Sequence, residues 1–470
     1  MIDESLEKEL DGAYAKFWKR LKPLLTEPYS QAVYRMDDYN KLGGVFAAGA
    51  MFCTLMTRCW YLHFDGCKQR MNPQVYVIGD PASGKGEIER MNRFIMSPVI
   101  EADHKGRQAD AAYKRELKKR ETSTKARKEG PLQRPEICVR YLPSRTSNAV
   151  FFRRLMNAVE ERDGERFPLH LYTFDSELDA MTTMQKSGMW INKHDLELKA
   201  FHNEETGVDY ASNDSVNGLF KIYYNIVATG TPLSLRNKIT EFNVADGLCS
   251  RIAIFRMCSA NFKMEERGKQ TVSRSKDSQL KEWACKFDKL EGELKIERLV
   301  NYVYKLCQNS AYEAEADHDK VIDYLRKRAV FYATWFTVPR IVARAISLVE
   351  GGSSKVKGGA STNPLDYVEV QKSDLAFAKL IYDAVIYWQD FFFGVMLENA
   401  WEKPGPKPRR NYSFNSTCYN DLPQQFGIKD VAYSIQQTEN AASVQINRWL
   451  KLGYIEREER GLYKKIVSKI

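Results

Sequence analysis

The residues best suited to chemistry are Gly79-Asp80-Pro81-Ala82-Ser83-Gly84-Lys85. Glycines at this spacing let consecutive backbone N–H groups curl around phosphate oxygens, and the lysine that follows reaches the β- and γ-phosphates of a nucleotide. A Ser or Thr hydroxyl one position later would ligate Mg²⁺, but that position is Gly86, which leaves Ser83, Glu87 or water to take its place. A second cluster, Asp175-Ser176-Glu177-Leu178-Asp179, follows an apolar run. ATP hydrolysis needs one carboxylate near Mg²⁺ and another that orients the attacking water. Asp175 and Glu177 share a face of an extended chain, so Asp175 takes the metal role and Glu177 the catalytic one. The plainer alternative is a helix start capped by Asp175 or Ser176. Asn225 and Thr229 are candidates to sense the γ-phosphate from a strand end, although an ordinary strand exit fits equally well. Arg251 precedes another apolar run, where it could stabilise transition-state charge at a neighbouring subunit's ATP or simply cap a surface turn.

These residues need elements to hold them. Gln74 to Ile78 reads as a buried strand and Glu87 to Ile95 as a helix, so the glycine loop has the strand–loop–helix setting of a P-loop. Phe167 to Phe174 reads as a central strand, and Leu219 to Ala228 as a third strand running into Thr229-Gly230-Thr231-Pro232. Alternation of short apolar runs with polar helical stretches over residues 75–260 predicts an α/β unit with a largely parallel sheet, an AAA+-like P-loop NTPase core. Residues 1–74 and 261–403 read as helical. Within the first, Leu42 to Met56 is about fifteen residues long, short of the roughly 20 that cross a bilayer, and reads as a buried helix. A Gly/Ser-rich stretch spans 351–361, and Pro404-Gly405-Pro406-Lys407-Pro408 reads as a linker to a terminal unit, 411–470.

Composition bounds the alternatives. Nine scattered cysteines with no Cys-x-x-Cys pair argue against a disulfide framework or a zinc finger, and fit reduced thiols in a cytoplasmic protein. The acidic N-terminus lacks a signal-peptide pattern, and no membrane partner is expected. A net charge of +10 permits a polyanionic partner without demanding one. From Lys105 to Arg134, eleven Lys/Arg face four Asp/Glu, which reads as a solvated charged helix with some capacity for phosphate contact.

The terminal unit carries a separate signal. Val431 to Ile435 and Glu439 to Leu452 read as helices, and Tyr454 to Ile466 as a β-hairpin, the order of a winged helix. The longer helix would offer Ser443, Gln445, Asn447, Arg448 and Lys451 to a DNA groove, and Lys464 and Lys465 to phosphates. The same unit can instead dock a protein.

In order along the chain stand a small-residue helix, the Gly79 to Lys85 loop, a long charged helix, Ser144-Arg145-Thr146-Ser147, Phe174 to Asp179, Ala228 to Pro232 and Gly247 to Arg251. This order resembles a family of helicase-like AAA+ proteins, known mainly as a domain of unknown function, that is carried by bacterial mobile elements and prophages and often found with primases. The resemblance covers residues about 40–400 and extends distantly to viral-type superfamily-three helicases. It implies a homo-oligomeric, ring-forming ATPase that uses ATP and Mg²⁺, with Lys85, Glu177 and Arg251 in phosphate-binding, catalytic and finger positions. Gly86 departs from the family's Ser or Thr, and Ser176 stands where an Asp often precedes the Glu. The leading expectation is an ATP-driven DNA motor in replication of a mobile element, with a primase or other replication protein as partner. A slow ATP-binding assembly or regulatory protein is the second reading. A small-molecule kinase is a weaker third, since no compact substrate lid follows the loop.

Overall fold

The computed structural model describes residues 4–122, 132, 134–162, 164–178, 193–209, 217–240, 244, 246–259, 271–351, 361–401, 418–459 and 461–467. Asp179, the linker at 404–410, most of the Gly/Ser-rich stretch and part of the basic segment lie outside the described residues.

A five-stranded, wholly parallel sheet organises the chain. Its strands, in chain order, are β1 (Gln74–Ile78), β2 (Tyr141–Leu142), β3 (Leu171–Asp175), β4 (Tyr224–Gly230) and β5 (Ala253–Arg256). Their spatial order is β5-β1-β4-β3-β2. The protein is thus mixed α/β, as the sequence predicts. Every residue of β1 and β4 is buried, as expected of parallel strands covered on both faces. Helix α1 (Lys41–Leu55) lies against this sheet and is buried along nearly its whole length. Its glycines explain that fit. A Cβ on Gly43 would meet the Phe255 ring at 2.4 Å, and one on Gly49 would meet Phe336 at 2.6 Å.

Helix α2 (Gly86–Ile95) follows the glycine loop directly. The long helices α3 (Glu297–Asp317), α4 (Lys320–Glu350) and α5 (Lys372–Trp401) pack on one another, and α4 also packs on α1. One apolar core therefore runs from Tyr14 to Leu397, across the expected boundaries at 74 and 260. Helix α5 is long and apolar enough to cross a membrane, yet 56% of its most apolar window is buried inside the protein, as in a core helix.

Two expected strands are each split. The run from Phe167 yields an outer hairpin strand, Glu165–Pro168, and then β3, because Pro168 has no N–H to give a central ladder. The run from Leu219 yields Gly218–Lys221, paired with Glu205–Val208, and then β4; the Ile222 N–H bonds to Glu204 and closes that hairpin.

The terminal unit contains β6 (Gln425–Gly427), α6 (Ile428–Ser434), α7 (Glu439–Lys451), β7 (Ile455–Glu459) and β8 (Leu462–Lys465). The two helices and the hairpin agree with the sequence, and β6 is an addition that pairs with β8. The unit has its own core around Tyr419, Phe426, Ile446 and Trp449, to which Ala316 of α3 contributes.

Candidate functional site

At the C-terminal edge of the sheet, β1, β4 and β3 end side by side, and backbone bonds tie their exits together. Gly79 N–H donates to Gly230 O at 3.0 Å, and Leu178 N–H donates to Thr229 O at 3.0 Å. The Thr229 hydroxyl donates to Ser176 O at 2.6 Å. Glycine loop, acidic turn and β4 therefore form one edge.

The loop after β1 is tightly wound. Ala82 and Gly84 both adopt positive φ, +62° and +84°. For Ala82 this is a strained conformation held by its surroundings. A Cβ on Gly79 would sit 2.2 Å from Ser83 Oγ, so only glycine lets Ser83 fold across it. Lys85 curls back, its Nζ donating to Gly79 O at 2.7 Å and Asp80 O at 2.8 Å. Burial lowers the Lys85 pKa, and the charges of Asp80 and Glu177 oppose that shift.

In the acidic turn, Asp175 is 2% exposed and its Oδ1 accepts from the Glu177 N–H at 3.2 Å, while Glu177 itself is exposed. One carboxylate is shielded; the other is open to water.

The Gly86 position is open. A Cβ there would have no neighbour within 4 Å, so its lack of a hydroxyl is not forced by packing. Glu87 is already committed, pairing with Arg90 at 2.8 Å and Arg35 at 3.2 Å, and Ser83 is buried against Met257. Neither is poised to replace the hydroxyl.

Asn225 lies elsewhere. It stands near the start of β4, five residues before Gly230, about 16 Å along the strand. Its Nδ2 donates to Thr54 Oγ1 at 2.9 Å and Met71 O at 3.3 Å. The expected γ-phosphate contact is corrected to a structural bond between sheet and α1. Thr229 is at the site, but its hydroxyl holds the acidic turn.

Arg251 also lies at the far edge. The Tyr332 hydroxyl bridges Arg251 O and Gln74 O at 2.6 and 2.9 Å, which fixes Arg251 beside the start of β1. The loop begins five residues further on, more than roughly 15 Å away along the strand, so Arg251 cannot reach its own loop.

Sequence reasoning missed Arg256. It ends β5 level with Ile78 and pairs with Asp80 of the loop at 3.2 Å. An arginine closing an apolar strand was its only sequence signal.

The terminal unit's basic residues are largely engaged. Lys465 is 6% exposed, and its Nζ donates to Leu422 O at 2.6 Å and Asn420 O at 3.2 Å. It braces the unit from inside and is not available to phosphate. Gln445 is likewise buried. Arg448 pairs with Asp317 of α3, and Lys464 with Glu458 at 3.2 Å. Lys451 and Asn447 remain exposed. The start of α7 is docked on the end of α3, where the Thr438 hydroxyl donates to Glu315 at 2.9 Å. Comparison with protein-family models and with curated protein sequences returns no match for this chain.

Proposed function

We propose that this chain is an ATP-hydrolysing P-loop NTPase of the AAA+ kind. The observation that carries the reading is the common edge at which the Gly79 to Lys85 loop and the Asp175 to Leu178 turn are bonded to the end of β4. Lys85 would leave its two carbonyl partners for the β- and γ-phosphates, and the loop amides would hold the phosphate oxygens. Glu177 would orient a water whose oxygen bonds to the γ-phosphorus while the bond to the β–γ bridging oxygen breaks. ADP leaves with that electron pair, and the water's proton passes by way of Glu177 to solvent. The residues fit Mg²⁺, which ordinarily keeps several waters and takes one or two carboxylates beside substrate phosphates. Asp175 would hold it, and the ion would neutralise phosphate charge.

Lys85→Ala should abolish ATP binding, and Glu177→Gln should keep binding while losing turnover. Equal ATP affinity for Lys85→Ala and the wild type overturns the reading.

The motor reading places this ATPase on DNA in replication of a mobile element, through a terminal winged helix. The docking of α7 on α3 favours the second reading, an ATP-binding assembly or regulatory protein whose terminal unit engages protein, because the first turn of a DNA-reading helix must be open to enter a groove. ATPase measured with and without single-stranded DNA separates the two; stimulation supports the motor.

A further inference from the structure

The strand beside the glycine loop delivers a second cation to it. Arg256 ends β5 level with Ile78, the residue before Gly79. The chain that follows runs along the loop. Met257 N–H donates to Ile78 O at 2.7 Å, and Met257 Sδ accepts from the Ser83 hydroxyl at 3.8 Å. The Tyr14 hydroxyl donates to Arg256 O at 3.0 Å, and Cys258 N–H donates to Asn40 Oδ1 at 2.8 Å. The main chain here is pinned, and the guanidinium is the part that can move.

Gly79 and Asp80 between them occupy both cations of the site. Lys85 Nζ is held by their two carbonyl oxygens. Arg256 Nη2 donates to Asp80 Oδ1 at 3.3 Å and Oδ2 at 3.2 Å. Both contacts exceed the roughly 2.7–2.9 Å of a strong charge-assisted bond, and a single nitrogen makes them both. Among the described residues the guanidinium has no other hydrogen-bond partner, so the fork that suits phosphate oxygens is unused. The two side chains are 15% and 34% accessible, and a pair so open to water holds weakly. A carboxylate inside a loop whose amides suit phosphate also repels that ligand unless it moves aside.

We infer that the Asp80 carboxylate stands in for phosphate on Arg256, and that the inner phosphates of a nucleoside di- or triphosphate displace it, an inference that rests on the ATPase reading of the loop. Sheet order decides which phosphates these are. In the order β5-β1-β4-β3, Arg256 and the acidic turn lie on opposite sides of β1 and its loop. Glu177 acts on the terminal phosphate from the β3 side, so Arg256 meets the phosphates that ADP and ATP share. Arg256 is then a binding residue that treats the two nucleotides alike. Asp80 lowers the affinity for both, because it competes for the same guanidinium.

The test titrates the full chain, in Mg²⁺, with ADP and with a non-hydrolysable ATP analogue, and reads binding by calorimetry. Arg256→Ala should weaken both nucleotides by the same factor, about tenfold or more, as loss of a charged contact does. Arg256→Lys should weaken both less, because a point charge replaces the fork. Asp80→Asn keeps the shape and removes the charge, and should tighten both by about two- to fivefold, the range of an exposed pair. Opposite signs for the two partners of one ion pair are the decisive result, since a pair that merely braced the loop would lose affinity on either change. Should Arg256→Ala fail to fold, Arg256→Lys and Asp80→Asn carry the same comparison. Unchanged or weaker binding in Asp80→Asn overturns the proposal, as does wild-type affinity in Arg256→Ala. A loss confined to the ATP analogue also overturns it, by moving Arg256 to the terminal phosphate. If the wild type binds neither nucleotide, the ATPase reading itself falls, and that is seen before any variant is compared.

Discussion

At the scale of single residues, Gly86 offers a clean experiment. Its surroundings are empty and its φ is ordinary, so Gly86→Ser should fold normally and raise Mg²⁺ affinity or leave it unchanged. A titration of ATPase rate against Mg²⁺ measures this, and a clear loss of Mg²⁺ affinity in the variant would show that glycine is needed there. His170 is a second point. It is fully buried, with Thr57 Oγ1 at 2.8 Å from its Nδ1 and Asn72 Oδ1 at 2.5 Å from its Nε2. Burial, then Arg70 and Arg140, holds its pKa well below 6.5, so the folded protein keeps it neutral while the unfolded chain protonates it. Its contribution is whole above about pH 6.5 and is lost as pH falls below that, by about 1.4 kcal/mol per pH unit. Urea unfolding at pH 7.5 and 5.5 should show a larger fall for the wild type than for His170→Gln; equal falls would exclude this role. Loop and acidic turn were legible in the sequence because their chemistry needs particular residue types at fixed spacing. Arg256 and Lys465 were not, because a basic residue's role depends on what faces it. Asp80 and two backbone carbonyls decided those two cases.

At the scale of elements, the glycines of α1 set how close that helix approaches the sheet. Gly43→Leu would drive a side chain into Phe255, and overpacking of this kind costs about 1–3 kcal/mol. The urea midpoint should fall with an unchanged slope, and an unaltered midpoint would mean that the helix can shift to accommodate it. The sequence showed α1, β1 and α2 within a residue or two, because apolar run and glycine loop punctuate that region sharply. It missed the breaks before β3 and β4, since an apolar run does not reveal where its partner strand changes. Pro168 was the visible hint for one of them, and the pairing of Gly218–Lys221 with a distant segment gave none for the other.

At the scale of the whole molecule, the contact between α7 and α3 couples the terminal unit to the rest of the protein. If DNA must reach α7, Asp317→Asn should strengthen DNA binding, by no more than about fivefold because exposed pairs contribute roughly 0–1 kcal/mol. Filter or fluorescence binding checks this, and unchanged affinity would favour a protein-docking unit. With Lys465 interior, deleting residues 411–470 removes three of the four expected phosphate contacts, those of Arg448, Lys451 and Lys464. The slope of log affinity against log salt should then flatten by no more than about three units. One further property belongs to the sheet itself. Because its five strands all run the same way, its two ends are chemically unlike, with the glycine loop at one and Arg251 at the other. Copies joined with one end of the sheet against the other would use two different surfaces at every junction, a heterologous contact that leaves an unsatisfied surface at each end of any short row. Such a row stops growing only if its rotation closes; otherwise it continues as a helical filament.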